Sequence, residues 1–534
     1  MGANTDAAAE AVHANGHGRN AMVGAMLGTI FEWYDFFLFA LLAIYFAASF
    51  FPPGNEVAGL LFALATFGAG FIVRPLGALL FGSIGDRIGR KFSFLVTVSL
   101  MGFATAAVGV LPTFETIGWA APVLLLASRL LQGLSVGGEY GGAVTYIAEQ
   151  TSPKKRGVST SWLQTTATGG QLLALGVILG CQTTMSKEAF ASWGWRIPFL
   201  LSVVLLVVSV YIRFGLKESP TFQLLKEAGK TASSPVRESF GSLHNCRKIL
   251  IAISICAAQG SIGYTGAVYP LYFLINVLKF DALNANLLMA LAIIAGLPIL
   301  ILAGKLSDVW GRKWIMVGAC LLSALTFVPI FEALVHFGNP ALERFQSETL
   351  ITVLSDNCEF HLFTSPQTKL SDCDRVKNYL NKAGLSYTSE AANGRDDVLT
   401  KIGEHEITGY DPGALKQTLD SVGYPETADT ANRNTSLVLL LLIVLIGYGS
   451  LIYGPLAAFL VEQFPTRIRN TSVAVSYNFG TGWFGGVTPF IASALALSSG
   501  NIFAGLWYPT ILVGSVFLIG ALFIRETPGR PLTD

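Results

Sequence analysis

Charged residues are scarce in this sequence. Asp, Glu, Lys and Arg make up only 13% of its 534 residues, and their formal net charge is +1. Because the chain carries no excess of positive charge, we expect no nucleic-acid partner. No spacing of residues is typical of a catalytic nucleophile, a metal site or a phosphate-binding loop. We therefore predict that the protein is not an enzyme and binds no metal or cofactor.

Histidine is also rare. The six histidines lie outside the long apolar stretches or at their edges. Charged side chains well inside those stretches are confined to the first half of the chain. They are Glu32, Asp35, Arg74, Arg129 and Glu139, with Arg196 at the end of a stretch. In the second half, Glu332 lies near the outer end of the ninth stretch. If the protein moves a proton, the carrier must therefore be a carboxylate in the first half.

Apolar residues, by contrast, are abundant. They make up 52% of the chain, and the mean hydropathy of +0.55 is far above that of a soluble globular domain. Twelve apolar stretches are long enough to cross about 30 Å of hydrocarbon, six on each side of the charged segment 216–248. The sequence predicts an all-α membrane protein with twelve transmembrane helices in two halves of six.

Two motifs recur in the two halves. GSIGDRIGRK at 82–91 returns as GKLSDVWGRK at 304–313, 222 residues later, and EQTSPKKRG at 149–157 returns as EQFPTRIRN at 462–470, 313 residues later. The offset grows by 91 residues within the second half, which indicates an insertion of similar length there. Internal duplication in a very apolar chain is typical of secondary transporters.

Lys and Arg concentrate in the loops that share a side with the N-terminus, which predicts that both termini are cytoplasmic. The predicted parts are a disordered cytoplasmic tail (1–20), a first six-helix half (21–215) and a cytoplasmic linker (216–248). They are followed by helices 7–9 (249–334), an extracytoplasmic insertion (335–434), and helices 10–12 with a short tail (435–534).

The segment 335–434 differs from the rest because it is polar and contains nine Lys or Arg residues. Its alternation of β-like and helix-like runs predicts a small α+β module. Cys358 and Cys373 lie in it, and in an oxidising compartment two cysteines predict one disulfide, with two free thiols as the alternative. Binding, gating and assembly are all open as roles of this module.

The repeated G-x-x-x-D-x-x-G-R-K loop resembles the signature loop of the major facilitator superfamily. Four runs resemble, in order, the metabolite:proton symporter family: TIFEWYDFFLFA (29–40), IVRPLGALLFGSIGDRIGRK (72–91), RLLQGLSVGGEYGGAV (129–144) and WGWRIPF (193–199). The resemblance implies a major facilitator fold and import of osmolytes such as proline and betaine, or of organic acids such as α-ketoglutarate, shikimate and citrate. An outer domain after the ninth helix resembles the haloacid and short-monocarboxylate permease branch.

Depth along the helices groups the buried charges. At ~1.5 Å per residue, Asp35 falls at the level of Arg129, and Glu32 falls near the levels of Arg74 and Glu139. We predict an outer Asp35–Arg129 pair and an inner cluster of the other three. Their carboxylates are candidates for proton coupling, because burial and a neighbouring arginine govern the pKa of a carboxylate. The alternative is that static ion pairs hold the helices together.

Arginine binds carboxylates through its planar fork, so the arginines near the membrane favour an anionic substrate over a sugar. The resemblance implies that Arg74 and Arg196 bind organic acids; an anchor for a helix end is the alternative role of Arg196. Other candidate substrate-binding residues are Arg129, Tyr34, Gln132, Gln259, Tyr264 and Asn478, with Tyr269, Tyr272, Tyr448, Tyr453 and Tyr477 as secondary candidates. For any of the secondary candidates, helix packing is the alternative role.

The repeated loops predict a gating latch at the inner helix ends. An acidic residue precedes Gly-Arg-Lys in both loops, and positive charge alone would satisfy the topology without that acid. The predicted latch residues are Asp86 with Arg90, Asp308 with Arg312, Glu149 with Arg156, and Glu462 with Arg467 or Arg469.

Together these features predict a monomeric alternating-access transporter in a bacterial cytoplasmic membrane. A proton moving inward would drive uptake of a small organic anion, a monocarboxylate; the partners are this substrate, protons and the lipid bilayer. A sodium-coupled or zwitterion carrier of the osmolyte type is the alternative among transporters. A sensor whose outer domain binds ligand is the alternative from another class.

Overall fold

The first half of the protein is helical. The computed structural model describes residues 17–51, 56–87, 90–138, 140–149, 151–214, 235–356, 358, 370–392, 397–428 and 432–526. Its first helices are α1 (His17–Phe50), α2 (Glu56–Ile72), α3 (Arg74–Arg87), α4 (Arg90–Val110), α5 (Phe114–Ile117), α6 (Ala120–Gly137), α7 (Tyr140–Glu149), α8 (Arg156–Thr184), α9 (Lys187–Ala189) and α10 (Arg196–Phe214). A 3₁₀ turn at Pro153–Lys155 and a π-helical turn at Phe190–Gly194 connect some of them.

The second half is helical except for one α/β segment. Its helices are α11 (Pro235–Phe240), α12 (Leu243–Ala267), α13 (Tyr269–Tyr272), α14 (Ala282–Trp310), α15 (Arg312–Gly338), α16 (Pro340–Glu348), α17 (Asp372–Ala383), α18 (Pro412–Ser421), α19 (Thr435–Gln463), α20 (Thr466–Phe479), α21 (Thr488–Ser499) and α22 (Trp507–Phe523). Its strands are β1 (Ile351–Leu354), β2 (Thr388–Glu390), β3 (Leu399–Ile402) and β4 (His405–Thr408). π-Helical turns occupy Phe273–Val277 and Gly480–Gly485, and a 3₁₀ turn occupies Ala504–Leu506.

Two helix starts differ from the predicted boundaries. α1 begins at His17, inside the predicted disordered tail, whose residues 1–16 lie outside the described part of the chain. α12 begins at Leu243, inside the predicted linker 216–248, because the Ser242 hydroxyl accepts a hydrogen bond from a first-turn backbone N–H and caps the helix. The predicted boundaries followed apolar content, whereas both helices begin with polar turns that precede their apolar parts.

Within the described chain, eight helices are long and apolar enough to cross a membrane, and nine if the bent pair Lys187–Gly194 and Arg196–Ile212 counts as one span. The apolar part of α4, Leu95–Val110, is shorter than these. The count of twelve spans therefore stays a prediction. The two halves pack against each other along α8 and α14, along α2 and α21, and along α3 and α20.

The α/β segment, residues 340–428, contains a four-stranded sheet and the helices α16, α17 and α18; we call it the module. The sheet has the order β2-β1-β3-β4, with β2 parallel to β1 and the other neighbours antiparallel. Ser371 and Asp374 form a capping box at the start of α17. A disulfide joins Cys358 to Cys373, whose Cα atoms are 5.4 Å apart, and so ties the chain after β1 to the first turn of α17.

The module contacts the helical part through the C-terminal end of α17. The Lys279 ammonium, in the loop before α14, donates to the carbonyl oxygen of Lys382 at 2.6 Å. Asn381 donates to a carbonyl near the end of α21, and the backbone N–H of Tyr387 donates to the carbonyl of Gly500 at 2.8 Å. These contacts define the module end of the helix bundle.

Candidate functional site

A cavity of about 110 Å³ lies between the two halves. α1, α3 and α8 contribute one wall, while α12, α14, α19, α20 and the π turn after α20 contribute the other. Its lining residues are Trp33, Phe37, Arg74, Ala167, Thr168, Gln171, Gln259, Gly260, Gly263, Tyr264, Ala267, Ile293, Leu300, Leu445, Ile446, Gly449, Ser450, Tyr453, Tyr477 and Thr481. The walls are mainly apolar and aromatic with a few polar groups, as small-molecule sites usually are.

Arg74 is the charged residue on this cavity wall. Its side chain is buried, and its guanidinium carbon lies 4.6 Å from the ring centre of Phe36 and 4.5 Å from that of Phe71. Nε and Nη2 have no hydrogen-bond partner, and no ion pair within 4.0 Å reaches Arg74 from the described residues. Aromatic faces surround this arginine, and a close pair with Glu32 is not among its described contacts.

The remaining members of that cluster are placed differently. Glu32 is buried on α1 and is not among the residues that line the cavity. Glu139 lies outside the described residues. Its predicted role in proton coupling, like that of Glu32, stays a prediction.

Asp35 and Arg129 are both buried, but they do not form the predicted direct ion pair within the described structure. The Ser202 hydroxyl of α10 donates to Asp35 Oδ1, whereas Arg129 Nη1 donates to Gln132 Oε1 at 2.7 Å. The physical reason is rotation about the helix axes. Depth sets how high a residue lies along a helix, but the direction of its side chain depends on the neighbouring helices.

Two neutral side chains fill the gap between these charges. Gln132 Nε2 donates to Thr105 Oγ1 at 2.8 Å, and the Thr105 hydroxyl also faces the Asp35 carboxylate. The Arg129 guanidinium is packed on three rings, with its carbon 4.3 Å from the ring centre of Phe36. Gln132 thus belongs to this polar chain and not to the cavity wall.

Four further predicted substrate residues lie away from the wall. Tyr34 donates to the carbonyl of Pro198 at 2.7 Å, and Asn478 donates to the carbonyl of Gly137 at 3.0 Å. Arg196 Nη1 donates to the carbonyls of Gly109 and Leu111 at the end of α4, at 3.1 and 2.8 Å, and the guanidinium lies over the Trp195 ring. These bonds fit the predicted anchoring role, and its role in substrate binding stays a prediction; Arg129 is the fourth of these residues.

Gln259 and Tyr264 are the predicted residues that line the cavity beside Arg74, and Tyr453 and Tyr477 line it among the secondary candidates. Tyr477 also stacks on Tyr140 from the other half, with ring centres 3.5 Å apart.

Several wall residues were not predicted from the sequence. They are Trp33, Phe37, Thr168, Gln171, Ser450 and Thr481. Gln171 donates to the carbonyl of Ala267 at 3.1 Å and so bridges the halves. Trp33 and Phe37 occur one helical turn apart in the quoted 29–40 motif. This i, i+4 spacing places them on the same face of the helix and could have identified them from the sequence.

Four predicted latch residues meet at the opposite end of the bundle from the module; we call Arg156, Asp308, Arg312 and Glu462 the ionic latch. Arg156 Nη1 lies 2.8 Å from Glu462 Oε1, and Arg312 Nη2 lies 3.2 Å from the same oxygen. Arg312 Nη1 lies 2.6 Å from Asp308 Oδ1. Exposure of the four side chains is between 0 and 6%.

Asp308 also caps a helix of the other half. Its two oxygens accept from the backbone N–H groups of Gly157 and Val158 at 2.8 and 2.9 Å, at the start of α8. A carboxylate at a helix N-terminus is favourable because the orphan N–H groups and the helix dipole both attract it. The latch therefore joins α8 of the first half to α14, α15 and α19 of the second.

Glu462 was predicted to pair with an arginine of its own repeat. Instead, Arg156 of the first half and Arg312 share it, and Arg469 donates from Nε to the carbonyls of Val461 and Phe464, each at 3.1 Å. The sequence repeat predicts which residues are equivalent in the two halves. The ion-pair partner of each residue, however, depends on how the two halves pack against each other. The side chains of Asp86, Arg90, Glu149 and Arg467, also predicted latch members, lie outside the described ones.

Glu526 is a latch neighbour that was not predicted from the sequence. Its carboxylate accepts from the backbone N–H groups of Arg312 and Lys313 at 2.7 and 3.1 Å, and so caps α15. Gly311, just before the helix, has φ +96, and a Cβ there would lie 2.4 Å from the Glu526 carboxyl carbon. Glycine is needed at this position for both reasons.

At the module end, neutral hydrogen bonds join the halves. Tyr272 donates to the carbonyl of Ala40, and the Asn286 amide donates to Gln182 Oε1 at 3.4 Å. A single ion pair among the described residues, between Lys187 and Asp281, accompanies them, and its lysine side chain is 84% exposed.

Proteins of known function share this architecture. Residues 21–249 match the model of the family described as "Sugar (and other) transporter". The alpha-ketoglutarate permease of Escherichia coli is 41% identical over 322 residues, 60% of this chain and 73% of the relative. The shikimate transporter of the same organism is 36% identical over 324 residues, 59% of this chain and 72% of the relative.

Two further proteins match nearly the whole length. A glycine betaine, proline, ectoine and pipecolic acid transporter of Dickeya dadantii is 28% identical over 530 residues, 97% of this chain and 85% of the relative. The E. coli xylose transporter, in a partially occluded inward-open conformation, superposes with a TM-score of 0.62 at 17% identity. The match covers 96% of this chain and 99% of the xylose transporter, and so shows the same fold.

Proposed function

This chain belongs to the metabolite:proton symporter family of the major facilitator superfamily and is a secondary transporter, and we propose that it imports a small organic anion, a monocarboxylate, together with a proton. The observation that carries the proposal is Arg74. A buried guanidinium with unpaired N–H donors is costly unless a ligand supplies the acceptors. A carboxylate supplies two acceptors in the matching planar geometry.

The size of the cavity supports a compact cargo. An engineered apolar cavity of about 150 Å³ accommodates benzene, and the cavity beside Arg74 is about 110 Å³. A carboxylate with a few heavy atoms matches that space. Two of the relatives are named for carboxylates, α-ketoglutarate and shikimate.

Binding titrations on purified protein test the anion. We expect acetate, propionate or chloroacetate to bind and Arg74→Lys to weaken that binding by about tenfold or more, equal to about 1.4 kcal/mol, because lysine lacks the bidentate fork. Arg196→Lys is the matched control, since Arg196 bonds to carbonyls outside the cavity wall. Equal affinity in wild type and Arg74→Lys would remove Arg74 from the site.

Asp35 is the proposed proton carrier. It is a buried carboxylate in the first half and has a hydroxyl partner, Ser202, but no arginine partner within the described residues. We expect Asp35→Asn to abolish uptake against a gradient while leaving counterflow, because exchange of bound substrates requires no net proton step. Concentrative uptake by Asp35→Asn would assign the proton to another carboxylate.

A zwitterionic osmolyte is the second candidate cargo. Trp33, Tyr264, Tyr453 and Tyr477 line the cavity, and aromatic faces attract quaternary ammonium groups. Two buried arginines nearby disfavour a cation, however, so we rank this candidate second. Binding of glycine betaine but not acetate would reverse the ranking. Uptake driven by a sodium gradient instead of a pH gradient would show that sodium, and not the proton, is the coupling ion. Binding of substrate without transport would indicate a sensor.

We also propose the membrane arrangement. Residues 21–215 form one six-helix half, 249–334 and 435–534 form the other, and the tail 1–20 and the linker 216–248 are cytoplasmic. The module within 335–434 then faces outward from a bacterial cytoplasmic membrane, and the ionic latch faces inward. Impermeant maleimide should label a cysteine at Ser421 but not one at Lys305 in intact cells. The reverse labelling would invert the topology.

The module is proposed to be an accessory to a monomeric transporter. Both of its flanking helix ends lie at the module end, so replacement of 340–430 by a short Gly/Ser linker should leave an inserted protein with some transport. The contacts of Lys279 and Gly500 with the module predict a reduced rate. Loss of both insertion and flux would show that the module is integral to the fold.

A further inference from the structure

Asp35 and Arg129 are separated by side chains that cannot carry charge. Gln132 lies between Arg129 and Thr105, with donor–acceptor distances of 2.7 and 2.8 Å, and Thr105 faces Asp35. All four side chains are buried. The connection crosses three helices, α6, α4 and α1, without a direct contact between the two charges.

The direction of these hydrogen bonds is determined by the groups themselves. A guanidinium only donates, so Gln132 must present its oxygen to Arg129 and its NH₂ group to Thr105. The Thr105 oxygen then accepts, and its single proton is left to donate. Two acceptors compete for that proton: the Met101 carbonyl at 3.0 Å and the Asp35 carboxylate.

The far end of this chain reaches the cavity through one ring. The Phe36 ring centre lies 4.3 Å from the guanidinium carbon of Arg129 and 4.6 Å from that of Arg74. Nε and Nη2 of Arg129 have no hydrogen-bond partner, so Gln132 is its described polar contact. A change at Gln132 therefore changes how Arg129 is held next to the cavity arginine.

We propose that Thr105 and Gln132 are positioning residues that transmit the protonation state of Asp35 to Arg129 and, across Phe36, to the substrate arginine Arg74. The inference rests on the proposed proton coupling and deepens it. Ionised Asp35 attracts the Thr105 proton, and that polarises the bonds from Gln132 and Arg129. Protonated Asp35 no longer competes as an anion, so the Thr105 hydroxyl keeps donating to the Met101 carbonyl and the hold on Arg129 weakens.

Other titratable groups around Asp35 are accounted for. On α1, the Tyr34 hydroxyl donates to Pro198, and Glu32 lies one turn away. On the helices packed against α1, these groups are Arg129 on α6, Cys181 on α8 and Arg196 on α10, whose guanidinium bonds to carbonyls. Arg129 is the one that the Thr105–Gln132 chain reaches.

Thr105→Val tests this relay, by which we mean the connection from Asp35 through Thr105 and Gln132 to Arg129, because valine keeps the side-chain shape and lacks the hydroxyl. Thr105→Ser is the matched control, because serine keeps the hydroxyl. In wild type, we expect the affinity for acetate to rise as the pH falls and Asp35 is protonated. Asp35→Asn should hold the affinity near its low-pH value at every pH. Thr105→Val should lower the ratio of concentrative uptake to counterflow by about tenfold, about 1.4 kcal/mol, and flatten the pH profile, while Thr105→Ser resembles wild type.

Each outcome decides a different point. If Thr105→Val keeps the wild-type pH profile and uptake ratio, the relay is overturned and the proposed symport stands. If wild type itself shows no uptake driven by a pH gradient, the proposed function fails and the relay fails with it. If Thr105→Ser loses coupling as fully as Thr105→Val, the residue acts through its packing, which also overturns the relay. A melting temperature near that of wild type shows that each variant is folded.

Discussion

The two ends of the helix bundle are held together by different chemistry. At the latch end, two arginines and two carboxylates from both halves are almost fully buried. At the module end, the halves meet through neutral hydrogen bonds such as Asn286 to Gln182, and the one described ion pair there has an exposed lysine. In an alternating-access cycle, as proposed for this transporter, both ends would separate, and we expect their resistance to separation to differ.

The two ends should differ in their sensitivity to the loss of a charged side chain. A buried ionic network is strongly sensitive to the loss of one member, because the remaining charges stay desolvated without compensation. Exposed ion pairs contribute little, since water and salt screen them. The latch end should therefore respond sharply to substitution and the module end weakly.

The largest effect should follow from Glu462→Gln. Arg156 and Arg312 then lose the carboxylate oxygen that they share, and the closed latch should be destabilised by about 3–5 kcal/mol. We expect faster maleimide labelling of a cysteine at Gln259 in the cavity when the reagent is added at the latch side. Glu343→Gln, at an exposed pair with His336, is the control. Equal labelling rates in both variants would contradict a closing role for the latch.

Gly157→Ala should have the next largest effect. A Cβ at Gly157 would lie 2.4 Å from the carbonyl oxygen of Gly304, so α8 and α14 would have to move apart at the latch end, at a cost of about 1–3 kcal/mol. Gly176, nearer the other end of α8, provides the matched control, because a Cβ there would have no atom within 4 Å. Melting temperatures and cavity labelling should change for Gly157→Ala only. A similar fall in both variants would point to helix propensity and not to the crossing.

A smaller effect is expected from Lys187→Gln. Its partner Asp281 is partly exposed, and exposed pairs of this kind contribute little to stability because water and salt screen them. A double-mutant cycle with Asp281→Asn measures the coupling through the labelling rate from the module side. A coupling energy near that of a buried pair would erase the contrast between the two ends.

The smallest effect concerns Lys279, where the module docks. Burial, followed by repulsion from Lys382, lowers the pKa of Lys279 to about 8. Its undocked form has a lysine pKa near 10.4 and binds more protons between those values, so docking should strengthen as pH rises through that window. Below about pH 8, both forms are protonated and this group adds no pH dependence. As the pH rises from about 8 to about 10.4, the distribution of spin-label distances between α17 and α14 should become narrower in wild type. Lys279→Met should remove this change.

Much of the architecture was accessible from local sequence properties. Apolar length and the duplicated loops predicted a two-half transporter, because hydropathy and repetition are read directly along the chain. In the segment 335–434, β1, β2, α17 and α18 lie where β-like and helix-like runs occur, since capping and alternation are local signals, whereas β3 and β4 were not predicted. The starts of α1 at His17 and of α12 at Leu243 were misplaced, because both helices begin with polar turns that precede their apolar parts.

The site was predicted less completely. Arg74, Gln259 and Tyr264 were identified because polar groups are conspicuous in apolar helices. Arg196 was predicted either to bind substrate or to anchor a helix end, and its Nη1 donates to two carbonyls at the end of α4. Trp33 and Gln171 were missed because an aromatic ring or an amide gives no sign, by itself, of whether it faces a cavity or a neighbour.

The amino-acid sequence was enough to identify the charges within the apolar helices and the loops that repeat, and to estimate the depth of each charge. The partners of these charges depend on how the helices pack. Position along a helix sets depth at about 1.5 Å per residue, whereas the direction of a side chain depends on how the helices rotate and cross. For that reason Asp35 and Arg129 are bridged by Thr105 and Gln132, and Glu462 binds an arginine from the other half of the molecule.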